Sequence, residues 1–274
     1  MKHNNLMNQF KDNELPLGEL EKLGLYIQGR ILLSRDNINA LLTGRRTEMT
    51  NFRDLKFDGL SIPELDAKLS LKKDQDGTVS LNVHPIYKVA KSHELLDENE
   101  SQKLQNGEID NIAKDQEVQK GKVRKIIIEY DEQTKEFISY DPEKVSVPLK
   151  VNSETLNEEQ IDQFKTGQIV ELSDGTKFQH TALNPQGIRS DNKRLALSVL
   201  FDAGISYLVY KGIQALKNRA AKFQNEGFTN GYNQAVADMK QKGELKDSNV
   251  TIQQLIDKHT PNQESRGYGR SSSR

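Results

Sequence analysis

The sequence has no cysteine and no tryptophan. The first absence removes disulfide frameworks, Cys-based zinc sites and thiol nucleophiles together. It fits a reducing compartment, and a cytoplasmic location is the expectation. The second absence, with aromatics at only 6%, argues against a large ligand-stacking cleft. Apolar residues are scarce too. They make up 34% of 274 residues against 29% charged, below the usual apolar share of about 45–50%. Cores should therefore be modest and loops well solvated. The net charge is −1, which gives no global pull towards nucleic acid or membrane, so any such surface must be local. The opening stretch MKHNNLMNQFKDNELPLGEL holds no apolar run of signal-peptide length.

What is present is patterned. Residues 17–46 have helical spacing at Leu17, Leu20, Leu23, Ile38, Leu41 and Leu42, and glycines break them into short helices. The block LDAKLSLKKDQDGTVSLNVHP alternates apolar and polar residues on both sides of Asp-Gly, which predicts a β-hairpin closed by Pro85. Further strands are predicted at KVRKIIIEY (122–130) and FISY (137–140), and on both sides of the Asp174-Gly175 turn.

One short helix is written more than once. LNEEQIDQFKTG (156–167) repeats the spacing of LDENESQKLQNG (96–107), and LSRDNINALLTG (33–44) is a weaker echo. Asn157 and Asp97 are natural N-caps, with Gln160 and Glu100 completing capping boxes. Gly44, Gly107 and Gly167 suit the left-handed residue that closes a helix. Helices this short are marginal alone, so each must lean on neighbouring strands through Phe164 or Leu104. With the hairpins that follow them, these copies predict a tandem module of helix, glycine, strand, turn and strand.

The ordered segments LPLGELEKLGL, LKFDGL, DAKLSLKKDQDGTVSLNVHP, HELLDENESQKLQNG, LNEEQIDQFKTGQIVEL and NPQGIRSDNKRLAL resemble a family of uncharacterised proteins. These domains of unknown function are encoded by Bacteroidetes, often on conjugative and other mobile elements. The resemblance spans roughly residues 15–200 and implies no catalytic residues. Longer relatives repeat the L-x-E-E-Q…L-x-x-G unit, often with a Gly-Lys turn and a longer insertion. This chain has only SDGTK there. The gene neighbourhood of the family implies DNA transfer or mobile-element upkeep.

No chemistry-bearing motif stands out. The five histidines, His3, His84, His93, His180 and His259, form no H-x-x-x-H or H-E-x-x-H pairing, so neither a metal nor a cofactor is expected. There is no Walker loop, G-x-G-x-x-G or G-x-S-x-G. No catalytic residue is assigned, and neither enzyme activity nor a small-molecule substrate is expected. The apolar run 195–216 is read as a helix in which Ser198, Asp202 and Ser206 form a thin polar stripe. Lys211 ends it short of the ~20 residues a membrane span needs. A buried or assembly-forming helix is therefore the expectation, with Leu197, Phe201, Gly204 and Leu208 on its contact surface. In EGFTNGYNQAVADMKQKG, Gly227, Gly231 and Ala235 recur every four residues beside Phe228 and Tyr232. This reads as a small-residue stripe for a partner helix. Candidate nucleic-acid contacts are Arg45, Arg46, Lys193, Arg194 and, in the Arg-Gly-Tyr tail, Arg266 and Arg270.

The resulting expectation is an α+β chain of tandem small helix–β-hairpin modules followed by a helical C-terminal region. Its divisions are a disordered start (1–14), helices plus a hairpin (15–92), two modules (93–150 and 151–190), a helical region (191–243) and a flexible basic tail (244–274). The functional expectation is a non-enzymatic scaffold of a mobile element, binding a protein partner or itself through its C-terminal helices. The alternatives are a nucleic-acid-binding accessory factor and a membrane-associated component anchored by helix 195–216.

Overall fold

The computed structural model describes residues 9–242, apart from 58, 75, 120, 202, 203 and 218–223. The tail 244–274, with Arg266 and Arg270, and residues 1–8 of the expected disordered start lie outside the described residues.

Three regions follow one another. The N-terminal unit contains α1 (Leu17–Lys22), the two-residue strands β1 (Tyr26–Ile27) and β2 (Arg30–Ile31), and α2 (Arg35–Leu42). The antiparallel strands β3 (Thr50–Phe57), β4 (Leu60–Lys73) and β5 (Val79–Pro85) complete it. Ala67, Leu69 and Leu71 alternate along β4 and bury against Leu20, Leu41 and Phe52. The second region is α3 (Glu98–Gln105) with a sheet of β6 (Asn111–Gln119), β7 (Lys122–Asp131) and β8 (Glu136–Tyr140).

The third region starts with a small hairpin, β9 (Lys150–Val151) and β10 (Glu154–Thr155), then α4 (Glu158–Lys165). It continues with β11 (Val170–Glu171), β12 (Lys177–His180), β13 (Ile188–Ser190), β14 (Arg194–Phe201), β15 (Gly204–Lys211), β16 (Gln214–Ala215) and α5 (Asn230–Gln241). Two four-stranded sheets result, β10-β9-β14-β15 and β11-β12-β13-β16, and β13 pairs with β16 in parallel.

The repeated helices have the ends the sequence assigns them. Asp97 and Asn157 accept from the backbone N–H of Glu100 and Gln160, and both capping boxes close. Gly44, Gly107 and Gly167 all take positive φ. The residue after each glycine donates back to the carbonyl of Ala40, Lys103 or Gln163, which is the paired closure of a Schellman end.

The tandem module does not exist, however. Three long strands follow α3, whereas α4 is followed by a two-residue and a four-residue strand and is preceded by its own hairpin. Only the helix with its ends recurs. Local capping chemistry repeats because every short helix needs it, and it does not dictate the sheet built afterwards.

The helical C-terminal region is also overturned. The run expected as helix 195–216 forms β14 and β15, paired from Arg194↔Lys211 to Phe201↔Gly204. Leu195, Leu197, Val199, Leu208 and Tyr210 enter the core beneath α4. Ala196, Tyr207 and Val209 point the other way, under α5. Over 195–199 and 207–210 both faces of the hairpin are buried, so no polar alternation marks it as β, and a continuous apolar run mimics a helix. Among the described residues no helix is long and apolar enough to cross a membrane.

Candidate functional site

The polar face of β4 explains how the regions are joined. Alternation places Lys68 and Ser70 opposite the apolar core of their own unit, where solvent would be the default. Instead the β7–β8 turn covers them. Lys68 is only 3% exposed, and its Nζ donates to both oxygens of Asp131 (2.9 and 3.1 Å) and to the Leu183 carbonyl (3.2 Å). The Nη1 of Arg46 reaches Thr134 Oγ1 (2.8 Å), Glu136 Oε2 (3.0 Å) and Asp131 Oδ2 (3.3 Å). On the same carboxylate as Arg46, His84 Nδ1 contacts Glu136 Oε2 at 3.1 Å, and its Nε2 meets Ser70 Oγ at 2.7 Å.

These are buried charges held by one another. Burial, with the charges of Arg46 and Arg189 adding to it at Lys68, pulls Arg46 and Lys68 below their ordinary range, and the facing carboxylates oppose it. Burial would raise Glu136, but the His84 hydrogen bond and the Arg46 charge outweigh it and hold the carboxyl low. The row Ser70–His84–Glu136 has the order of a nucleophile, a base and an orienting acid. Its acid is already shared with Arg46, so an imidazolium formed there would compete with a guanidinium for one counter-ion. The geometry fits a clamp between regions better than a reactive centre.

Beside the clamp lies a cavity of about 390 Å³. The N-terminal unit contributes Arg45, Arg46 and His84, the β6–β8 sheet contributes Arg124, and the following segment contributes Asp141 and Lys144. His180 forms part of the wall, edge-on to Tyr140 at 5.0 Å. Burial, with the charge of Arg45 beside it, pulls His180 down to about 3, so its imidazole is neutral near pH 7. Arg45 donates from Nε and Nη2 to the Pro185 carbonyl (3.3 and 2.9 Å). Burial pulls it down, offset in part by Tyr210 and Asp36.

A second polar cluster holds α5 in place. Asp174 accepts from Thr229 Oγ1 (2.6 Å), Asn152 Nδ2 (3.0 Å) and the Thr176 N–H (3.0 Å). A Cβ on Gly231 would sit 2.6 Å from the Asp174 carboxylate, and one on Gly227 would sit 2.8 Å from the Arg194 backbone. The small-residue stripe therefore serves close approach, but within the chain. Ala235 and Tyr232 complete it, buried against β14 and β15.

The remaining candidates are scattered. Leu197 and Leu208 are core residues. Phe201 and Gly204 pair across the β14–β15 hairpin. Lys193 pairs with Glu226 at 2.6 Å. The Arg194 guanidinium lies 4.7 Å from the centre of the Phe228 ring, and Phe228 remains 59% exposed. Arg45 and Arg46 are adjacent and both line the cavity, but their guanidiniums bond to different partners. Of the residues at the junction, the sequence singles out Arg45, Arg46, His84 and His180, but not Lys68, Ser70, Asp131, Glu136 or Lys144. One signal was available, the run of Lys68, Ser70 and His84 on the polar face of a single hairpin. Among the described residues no group of three or more His, Asp or Glu side chains gathers as a metal site.

Comparison with known proteins gives one match. A family model described as a protein of unknown function (DUF4099) matches residues 10–95, the stretch that contains the N-terminal unit and its core. No curated protein and no solved structure matches the chain.

Proposed function

We propose that the chain is a non-enzymatic interaction protein that presents an exposed β-ribbon to a protein partner. The observation behind this reading is the free end of the β6–β7 hairpin. β8 pairs with β7 only as far as Ile127↔Tyr140, whereas β6 and β7 continue together to Gln119↔Lys122. Residues Lys122–Lys125 are exposed, Val123 by 61%. Strand edges without a third strand carry unpaired backbone N–H and C=O groups, which another chain can extend by strand addition. The ribbon carries both signs of charge, with Lys114, Asp115, Glu117, Lys122, Arg124 and Lys125, which suits a protein better than a phosphate backbone. The resemblance to proteins of Bacteroidetes mobile elements supplies the biological context of the proposal.

Assembly through the C-terminal helix is no longer favoured, because α5 spends its small and aromatic face on its own sheet. Nucleic-acid binding loses Arg46 to the buried clamp and Lys193 to Glu226.

The test compares the native chain with Val123→Lys in its host by proximity cross-linking, with circular dichroism confirming an unchanged fold. A neighbour captured by the native chain and lost with the variant supports the ribbon. Identical neighbours for both chains refute it. The non-enzymatic part has its own check. Labelling of Ser70 by a fluorophosphonate, abolished by His84→Ala, would overturn it.

A further inference from the structure

The cavity between the N-terminal unit and the β6–β8 sheet shares Arg124 with the ribbon but does not rest on the ribbon reading. Its volume, about 390 Å³, falls within the ~300–1,000 Å³ of small-ligand pockets. Its wall carries four permanent cations, Arg45, Arg46, Arg124 and Lys144, against one carboxylate, Asp141.

The charges on that wall do not balance. Arg46 is neutralised by Asp131 and Glu136. Arg124 meets Asp141 at 3.5 Å. Arg45 gives two bonds to one neutral carbonyl and, among the described residues, has no carboxylate in ion-pair contact. The Lys144 ammonium has no hydrogen-bond or ion-pair partner among them. Two positive charges, a partly buried guanidinium and an exposed ammonium, thus line one open cavity, one from each side of the junction. A half-buried guanidinium without a counter-ion in contact is costly, and Asp36 offsets the burial of Arg45 only in part, without an ion-pair contact. A planar-donor guanidinium and an ammonium suit phosphate oxygens, the first by bidentate hydrogen bonding and the second as a point charge.

We infer that this cavity binds a small phosphate-bearing anion, of mononucleotide size at most, held between Arg45 and Lys144. Such a ligand would bridge the N-terminal unit to the rest of the chain, so binding should stabilise the joined state.

The experiment is calorimetric titration of the full chain in low-salt, phosphate-free buffer. The probes are AMP, inorganic phosphate and adenosine, with thermal unfolding alongside. Binding of AMP or phosphate with a rise in Tm, and none for adenosine, is the expected result. AMP tighter than phosphate by about tenfold or more assigns a nucleotide, whereas comparable affinities assign the phosphate group alone. Lys144→Glu should cost about tenfold or more in affinity without lowering the Tm of the free protein, because the Lys144 side chain makes no hydrogen bond or ion pair among the described residues. Arg45→Gln should weaken binding as well, and its own Tm reports any loss of the Pro185 contact. Two results overturn the inference: no anion binding at millimolar concentration, or binding unchanged in Lys144→Glu.

Discussion

The buried clamp predicts a large cost for a change of one atom type. Asp131→Asn keeps the size and shape of the side chain and keeps an oxygen for the Gln133 N–H, which Asp131 Oδ1 accepts at 3.1 Å. It removes the charge that faces both Lys68 and Arg46. Were this an exposed ion pair, the loss would be about 0–1 kcal/mol. The side chains of Arg46, Lys68 and Asp131 are only 7%, 4% and 3% exposed, so the buried regime applies. Removing one partner there costs about 3–5 kcal/mol, because the other charges stay behind without compensation. That is a large share of the ~5–15 kcal/mol that holds a typical domain. Adding Lys68→Met to Asp131→Asn leaves Arg46 with Glu136 as a matched pair. The double variant should therefore be less destabilised than the sum of the singles by about 1–3 kcal/mol. Urea unfolding, followed separately by tyrosine fluorescence and far-ultraviolet circular dichroism, measures each value and shows whether the regions still unfold together. High salt should change the difference little, since buried charges are poorly screened. The reasoning fails if Asp131→Asn lies within about 1 kcal/mol of the native chain, or if the two substitutions simply add.

Two further outcomes follow from single residues. Glu129 is 1% exposed, and burial pushes its carboxyl up to about 7 from 4.5, against the opposing charge of Arg189 and hydrogen bonds from Thr181 and Ala182. The unfolded chain then releases this proton first, so its contribution to stability falls as pH rises from about 4.5 to 7. His180, held near 3 instead of 6.5, acts in the opposite sense, and its contribution is lost as pH falls from about 6.5 to 3. Glu129→Gln should remove the first slope alone and gain up to about 3 kcal/mol over the native chain between pH 4.5 and 7. A difference from the native chain that does not vary with pH would rule this out. Gly231→Ala should lower stability by up to about 2 kcal/mol, since the new Cβ meets a fixed carboxylate and this overpacking exceeds the ~1 kcal/mol gained in helix propensity. Amide exchange across residues 230–241 should rise with it, and a more stable variant would show that α5 is free to shift.

The sequence made local structure legible and long-range structure much less so. Caps, closing glycines, Asp-Gly turns and the strand-ending Pro85 all lie in a window of a few residues, and each forms as its chemistry requires. What failed was every inference that needed to know what covers a surface. Leu195–Tyr210 reads as a helix because its two faces are covered by different elements, and nothing nearby in the chain announces either cover. Gly204 and Gly212, each a poor residue for a helix interior at about 1 kcal/mol, were local objections to helix 195–216. Lys68 fails in the opposite way. On an alternating strand it belongs in water, and only a turn sixty-three positions later buries it. The Arg45-Arg46 pair looks like a basic patch when read as text. The Schellman end of α2 fixes where the chain leaves the helix, and from there one guanidinium goes to Pro185 and the other to Asp131 and Glu136. Adjacent charges do not make an exposed basic patch when each guanidinium is drawn inward to a separate partner.

The same distinction predicts how the N-terminal unit behaves alone. Every member of its apolar cluster, from Phe10 to Leu71, and every partly buried residue packed on it, up to Leu81, lies within residues 10–95. A domain that owns its whole core can fold by itself. Cutting after residue 95 removes the partners of Arg46, Lys68 and His84, but it also exposes those side chains to water, which solvates a charge that burial had made costly. The loss is therefore not the 3–5 kcal/mol of an uncompensated buried charge, because neither charge stays buried. A fragment of residues 9–95 should unfold cooperatively in urea, less stable than the intact chain but still folded, with dispersed amide resonances for β3–β5. Absence of any cooperative transition would mean that the clamp, and not the apolar cluster, holds this unit together. The span matched by the family model would then be a unit of sequence without being a unit of folding.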